Sequence, residues 1–151
     1  MTPPLPAVRR LAPGEEAAVV ALWQRCGLTR PWNDPDADLR RALDGPSSAV
    51  LVACSDAGDV VGSVMVGVDG HRAWVYYLGV DPDRREAGLG RVLMAAAEEW
   101  AAERGAPKLL LMVRSSNTAV RGFYEALDYA EQDTIVLGRR LDGVPDGGAR
   151  R

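Results

Sequence analysis

The chain has 151 residues, 47% hydrophobic and 26% charged, which is the size and balance of one folded domain and far from the composition of disorder. Eighteen Lys and Arg against 21 Asp and Glu leave a net charge of minus 3 with no basic run, which excludes a general nucleic-acid binder. No apolar run nears the roughly 18 residues that span a bilayer, and MTPPLPAVRR has neither the apolar stretch nor the cleavage site of a leader, so a cytoplasmic protein without a membrane partner is expected. Cys26 and Cys54 stand alone without CxxC spacing, which predicts buried, reduced thiols and no metal site.

In chain order, a short strand is predicted over Ala7 to Leu11, then a helix over Glu15 to Cys26 with Val19, Leu22, Trp23 and Cys26 on one stripe. A second helix opens in NDPDADLRRALDG, where Asp34 can cap, Pro35 suits the first helical position and Gly45 can terminate. Ser48 to Cys54, Val60 to Val68 and Ala73 to Val80 read as an antiparallel meander joined by the turns SDAGD and DGHR. The period then changes: Leu89, Val92, Leu93, Ala96 and Trp100 mark a long helix over Gly88 to Arg104, stopped by Gly105. Lys108 to Arg114 reads as a strand apolar on both faces, Ser116 to Leu127 as a helix capped by Ser116, and Tyr129 to Leu141 as one or two final strands. The sum is an α+β fold in a single domain over 1–151, with 1–6 and 142–151 expected to be flexible.

The stretch LGVDPDRREAGLGRVL, Leu78 to Leu93, joins an apolar strand to a helix through a glycine-bearing loop. Glycines at such a junction let successive N–H groups turn inward, and the helix N-terminus adds partial positive charge, so an anion fits. Arg84, Arg85 and Arg91 add charge suited to a pyrophosphate. The Walker A loop is excluded because Arg91 and Val92 follow Gly90, and the dinucleotide fingerprint because Leu93 stands where its third glycine belongs.

The second cluster is RSSNTAVRGFYEALDY, Arg114 to Tyr129. Helical spacing places Asn117, Arg121 and Tyr124 on one polar stripe and Val120, Phe123 and Leu127 toward the core. An amide can hydrogen-bond a peptide-like ligand, and a phenol can give a proton to a leaving thiolate.

Together these motifs resemble the GNAT N-acetyltransferases. Arg85, Gly88 and Gly90 match the family's acetyl-CoA signature, and Asn117 followed by FYE, Leu127 and an aromatic residue matches its second motif. RPWNDP, DGHR and YYLGV further resemble the YpeA-type bacterial branch, and LMVRSSN resembles the ribosomal-protein N-acetyltransferases. The resemblance implies a mixed, mostly antiparallel sheet flanked by helices, whose fourth and fifth strands splay to form an acetyl-CoA slot. It implies that Leu78, Gly79 and Val80 pair with the pantetheine arm, and that Arg85, Glu86, Ala87, Gly88, Leu89, Gly90 and Arg91 line the pyrophosphate. It also implies that Asn117 contacts the arm and that Tyr124 is the catalytic residue protonating the CoA thiolate. The reaction implied is direct acetyl transfer to a primary amine in a ternary complex, the acceptor being a peptide α-amine, a lysine or a small molecule and the enzyme a monomer or homodimer.

The chain departs from the family pattern at Glu86, where glycine is usual, at Ala87, where a basic residue is frequent, and at Asp128, where glycine commonly ends the helix. The glutamate bases of the histone-type and ribosomal-protein-type members fall on Trp74 and Met112, neither of which accepts a proton. Waters held by Asp69, His71, Tyr76 and Tyr77 are the expected substitute, and Trp32, Asn33 and Asp34 are candidates for the acceptor mouth. The alternative, motivated by the missing glutamates, is an acyl-CoA-binding sensor or interaction domain with weak catalysis.

Overall fold

The β-branched runs of the meander form their strands with the expected bounds. In the computed structural model, which describes residues 4–85 and 87–150, β1 (Val8–Arg10), β2 (Ser48–Cys54), β3 (Val60–Val68), β4 (Ala73–Val80) and β5 (Leu109–Leu111) form one sheet in that order. β1 to β4 are antiparallel neighbours, and β5 joins β4 in parallel. Turns tie the meander locally: Asp59 carbonyl accepts from Ser55 N–H at 2.8 Å, and Gly70 sits at φ +89, which glycine takes without steric cost.

Helices α1 (Glu16–Arg25), α2 (Pro35–Asp44) and α3 (Leu89–Glu103) cover the sheet. Neighbouring strand residues face opposite sides, and Ser63 hydrogen-bonds Trp23 of α1 while the Cα of Gly62 faces Leu89 and Leu93 of α3. α1 and α3 therefore lie on opposite faces. Val19, Leu22 and Trp23 of α1, Leu39 of α2 and Val50 and Val52 of β2 form one buried core, and Leu93, Met94 and Ala97 are buried on the α3 side. Gly62 permits this closeness, because a Cβ there would come within 2.9 Å of Leu93 Cδ1.

The chain divides into two compact units, residues 4–29 with 35–112, and 30–34 with 113–150. The sheet, α1, α2 and α3 belong to the first. The second contains α4 (Thr118–Glu125).

Three expectations are corrected. The strand of Lys108 to Arg114 shrinks to Leu109–Leu111, and Met112 is exposed. No strand forms over Tyr129 to Leu141; Ile135, Val136 and Leu137 are 84%, 69% and 88% exposed. β-propensity supplies a tendency, but a strand exists only where a neighbour takes its backbone hydrogen bonds. Cys26 and Cys54 are free but only half-buried, Cys54 lying beside Arg9 and Glu15.

Candidate functional site

The junction after β4 is built by Asp81. Its Oδ1 accepts from Asp83 N–H at 3.0 Å, its carbonyl accepts from Arg84 N–H at 2.8 Å, and its Oδ2 meets Arg25 at 3.4 Å. A 3-10 turn over Pro82–Arg84 follows, and Arg85 folds back so that its Nε–H reaches Val80 carbonyl at 3.4 Å. Glu86 lies outside the described residues. Ala87 and Gly88 are exposed, and Gly88 takes φ +87, ψ 7 as the N-cap of α3.

That helix start has no side-chain cap and no acidic residue in its first turn. Leu89 is buried at 3% exposure and anchors the turn, while Gly90 is half-buried and Arg91 exposed. The first-turn N–H groups have no intrahelical partner by helix geometry, so this terminus suits an anion.

β4 supplies the neighbouring element. β5 pairs only with Ala73, Trp74 and Val75, so Tyr76–Val80 keeps β3 on one side and no strand of the described residues on the other. β5 ends at Leu111, opposite Val75. Opposite β3 the register jumps from Ser63↔Gly79 to Met65↔Tyr76, a bulge that skips Tyr77 and Leu78 in the ladder and puts Tyr77 at φ +53. Gly79 is required by close packing: a Cβ there would lie 3.1 Å from Leu28 Cδ1 and 3.2 Å from Cys26 Sγ. Cys26 Sγ–H donates to Val80 carbonyl at 3.2 Å.

The four candidates for water retention take different places. Asp69 is the organiser of its turn, its Oδ1 accepting from His71 and Arg72 N–H at 2.9 and 2.7 Å and its Oδ2 from Trp74 Nε1–H at 3.3 Å. Those N–H groups hold its carboxyl below the ordinary range. His71 is exposed on that turn. Tyr76 is 45% exposed, with burial raising its phenol. Tyr77 has its ring against Trp23 and donates its hydroxyl to Asp38 Oδ2 at 2.7 Å.

In the second unit, Asn117 rather than Ser116 is the N-cap of α4, its Oδ1 accepting from Val120 N–H at 3.2 Å. The expected faces of this helix are also corrected. Val120 is 36% exposed, whereas Tyr124 is buried to 9%. The phenol ring packs edge-on against Phe123 and Tyr129, with centroids 5.0 and 5.7 Å away, an apolar environment the helical wheel does not encode. That burial pushes Tyr124 up to about 12. Arg121 pairs with Glu131 at 3.0 Å. Asp128 takes φ +68, the left-handed conformation expected where the family uses glycine and one that Asp tolerates.

Trp32 and Asn33 are engaged within the same unit. Asn33 Oδ1 accepts from Arg140 at 2.9 Å, Arg140 pairs with Asp142, and Gly147 lies so close to the Trp32 ring that a Cβ would not fit. The segment expected to be flexible after Asp142 therefore covers Trp32. Asp34 is exposed. Sequence reasoning missed Ser63 and Asp38, the partners of the bulge; the signal was a lone hydroxyl inside the apolar run VVGSVMV. Among the described residues no His, Cys, Asp and Glu cluster suits a metal, and no helix is long and apolar enough to cross a membrane.

Against known proteins, the family described as Acetyltransferase (GNAT) matches residues 17–129. Acetyltransferase YE1169 of Yersinia enterocolitica is 52% identical over 123 residues, covering 82% of this chain and 86% of that protein. Acetyltransferase ECA0875 of Pectobacterium atrosepticum is 51% identical over 124 residues, covering 82% and 87%. Among solved structures, AAC(6')-Iy in complex with the bisubstrate analog CoA-S-monomethyl-acetylneamine superposes with TM-score 0.76 at 18% identity, over 88% of this chain and 96% of that one. The aminoglycoside acetyltransferase meta-AAC0020 from an uncultured soil metagenomic sample, in complex with sisomicin, gives 0.74 at 19% identity, over 89% and 95%.

Proposed function

The chain belongs to the GNAT acetyltransferase family and is an acetyltransferase with acetyl-CoA as its donor, and we propose that it moves the acetyl group directly to a primary amine in a ternary complex. The observation that carries this reading is the α3 N-terminus, uncapped by any side chain and free of acidic residues in its first turn, next along the chain from a β4 edge that β5 does not pair. A diphosphate suits the first and an amide-bearing arm suits the second, so the residues present fit the donor.

In this reading the N–H groups of Gly88 to Arg91 hold the pyrophosphate, with Arg85 and Ala87 at the loop rim. Leu78, Gly79 and Val80 offer backbone groups to the pantetheine arm. Asn117 spends its carbonyl oxygen on the helix cap, which leaves the amide NH2 to donate to the arm. Acetyl-CoA supplies a thioester already activated toward amines. The Leu78 N–H stabilises charge developing on the acyl oxygen, and Tyr124, matched to the family's second motif, carries the proton destined for the sulfur. Its high pKa keeps that proton in place at neutral pH.

The acceptor is a peptide α-amine, a lysine or a small amine, with Trp32, Asn33 and Asp34 shaping its entrance and Tyr76, Asp69 and His71 serving the water route for its proton. Fold neighbours that bind aminoglycosides make a polyamine-like acceptor one arm of the test. The likeness of RPWNDP, DGHR and YYLGV to YpeA-type enzymes supports reading the chain as a cytoplasmic member of that bacterial branch. The experiment is thiol release from acetyl-CoA with an Ala-initial tripeptide, free lysine, spermidine and sisomicin as separate acceptors, with product mass measured. A mass gain of one acetyl on one acceptor supports the reading. Binding of acetyl-CoA without turnover on a broad amine panel contradicts it.

A further inference from the structure

The bulge in β4 is held by a set of contacts that neither the pyrophosphate loop nor the proton donor uses. Ser63 is 0% exposed and is the buried polar side chain of the core among the described residues. Its Oγ accepts from Trp23 Nε1–H at 2.9 Å and donates to Tyr77 carbonyl at 3.4 Å. Tyr77 is thereby fixed at three points. Its carbonyl is held by Ser63, its ring is stacked on Trp23 with centroids 3.9 Å apart and planes at 11°, and its hydroxyl donates to Asp38 Oδ2 at 2.7 Å.

These anchors act on a residue at φ +53, a left-handed conformation that a bulky L residue adopts only where its surroundings over-determine it. A core needing only packing would be served by an alanine at 63 and a phenylalanine at 23, which bury no polar atoms. The polar connection instead specifies a backbone geometry. That geometry sits at Tyr77 and Leu78, the two positions of β4 skipped by the register with β3.

We propose that Tyr77 is a positioning residue, anchored by Ser63, Trp23 and Asp38, that locks the β4 bulge and so aims the Leu78 backbone N–H at the acyl oxygen of the donor. The proposal rests on the reading of β4 as the donor strand. It moves Tyr77 from the water route to the support of the oxyanion donor, and it gives Ser63 and Trp23 a role in turnover although neither touches a substrate. Asp38 extends the same connection to α2, where it also pairs with Arg41.

The test is isotope-edited infrared spectroscopy of acetyl-CoA labelled with 13C at the acyl carbonyl, bound to wild type and to the Ser63→Ala, Trp23→Phe and Tyr77→Phe variants. In wild type the carbonyl stretch falls below its value in buffer, because the N–H polarises it. Ser63→Ala and Trp23→Phe are expected to return it at least half-way, and to lower kcat about 10- to 100-fold on any accepted amine, as a small misplacement of an oxyanion donor does. The acetyl-CoA dissociation constant is expected to change less than about threefold, since the pyrophosphate loop is untouched. Tyr77→Phe removes one anchor of three and gives a smaller change in the same direction. If Ser63→Ala does not fold, Ser63→Thr keeps the hydroxyl and is expected to keep the wild-type carbonyl frequency. A full wild-type shift in folded Ser63→Ala and Trp23→Phe overturns the positioning role while leaving the donor reading intact. Failure of wild type to bind acetyl-CoA overturns both.

Discussion

Gly88→Ala and Gly88→Val form a graded probe of the α3 start. Gly88 holds φ +87, where a Cβ costs an L residue about 1–2 kcal/mol. Space is not the obstacle, because the nearest atom to an added Cβ is Leu5 Cδ1 at an ordinary 3.6 Å. The penalty is therefore conformational, and the loop has two responses. It keeps its shape and loses about 1–2 kcal/mol, a fall in Tm of roughly 2–8 °C for a chain of this length. Alternatively it relaxes to negative φ and swings the first-turn N–H groups of α3 off their common target. Calorimetric titration with coenzyme A and thermal melts, with and without ligand, separate the two. Gly88→Ala is expected to raise the CoA dissociation constant at least about 10-fold, a loss of about 1.4 kcal/mol. Gly88→Val is expected to raise it further, because β-branching makes positive φ still less accessible. A folded Gly88→Val protein binding CoA within about twofold of wild type refutes the assignment of this loop.

Tyr124→Phe is expected to lower turnover about 10- to 1000-fold with little change in CoA affinity, measured by steady-state thiol release. Burial sets Tyr124 at about 12, so its proton is present throughout the working range. A kcat/KM profile should show no descending limb from this group below pH about 10, and one near pH 8 that vanishes in Tyr124→Phe contradicts the shift. Gly62→Ala drives a methyl to 2.9 Å from Leu93 Cδ1 and is expected to cost about 1–3 kcal/mol in denaturant unfolding. Glu15 is held down to about 2 by Arg9 and by Ala12 N–H. A carboxyl depressed in the folded state stabilises above its unfolded value near 4.5 and loses that contribution as pH falls toward 2. Glu15→Gln should thus lower Tm at pH 7 and converge with wild type near pH 2, and a pH-independent difference refutes the ion-pair account.

Much of the first unit was legible because each of its elements carries a complete local signal. The bounds of β2, β3 and β4 follow from their β-branched runs and flanking turns, and α3 from the stripe that buries Leu89, Leu93 and Trp100. The positive φ at the start of α3 was legible for a related reason: Gly88 at a strand-to-helix junction is a statement about φ that only the backbone has to satisfy. What escaped was whatever depends on which partner a group finds. TIVL reads as a strand at Thr134 to Leu137, yet a run of apolar residues does not name the strand that would accept its N–H groups. The wheel of α4 assigns Tyr124 to the polar stripe because a phenol is counted as polar, whereas its ring finds Phe123 and Tyr129. Asp69 and Tyr77 carry groups suited to proton traffic, but their partners are Trp74 and Asp38, 5 and 39 residues away. Sequence supplied the chemistry of those groups and structure supplied their use.

The central claim is the proposal that the turn opening α3 and the β4 edge that β5 does not pair hold coenzyme A. Its most direct test is an amide NMR titration of the 15N-labelled protein with coenzyme A. The account predicts that the largest, saturable shifts fall on Leu78 to Val80 and Gly88 to Arg91. Saturable binding whose shifts leave both segments unmoved, or no binding at millimolar ligand, contradicts it.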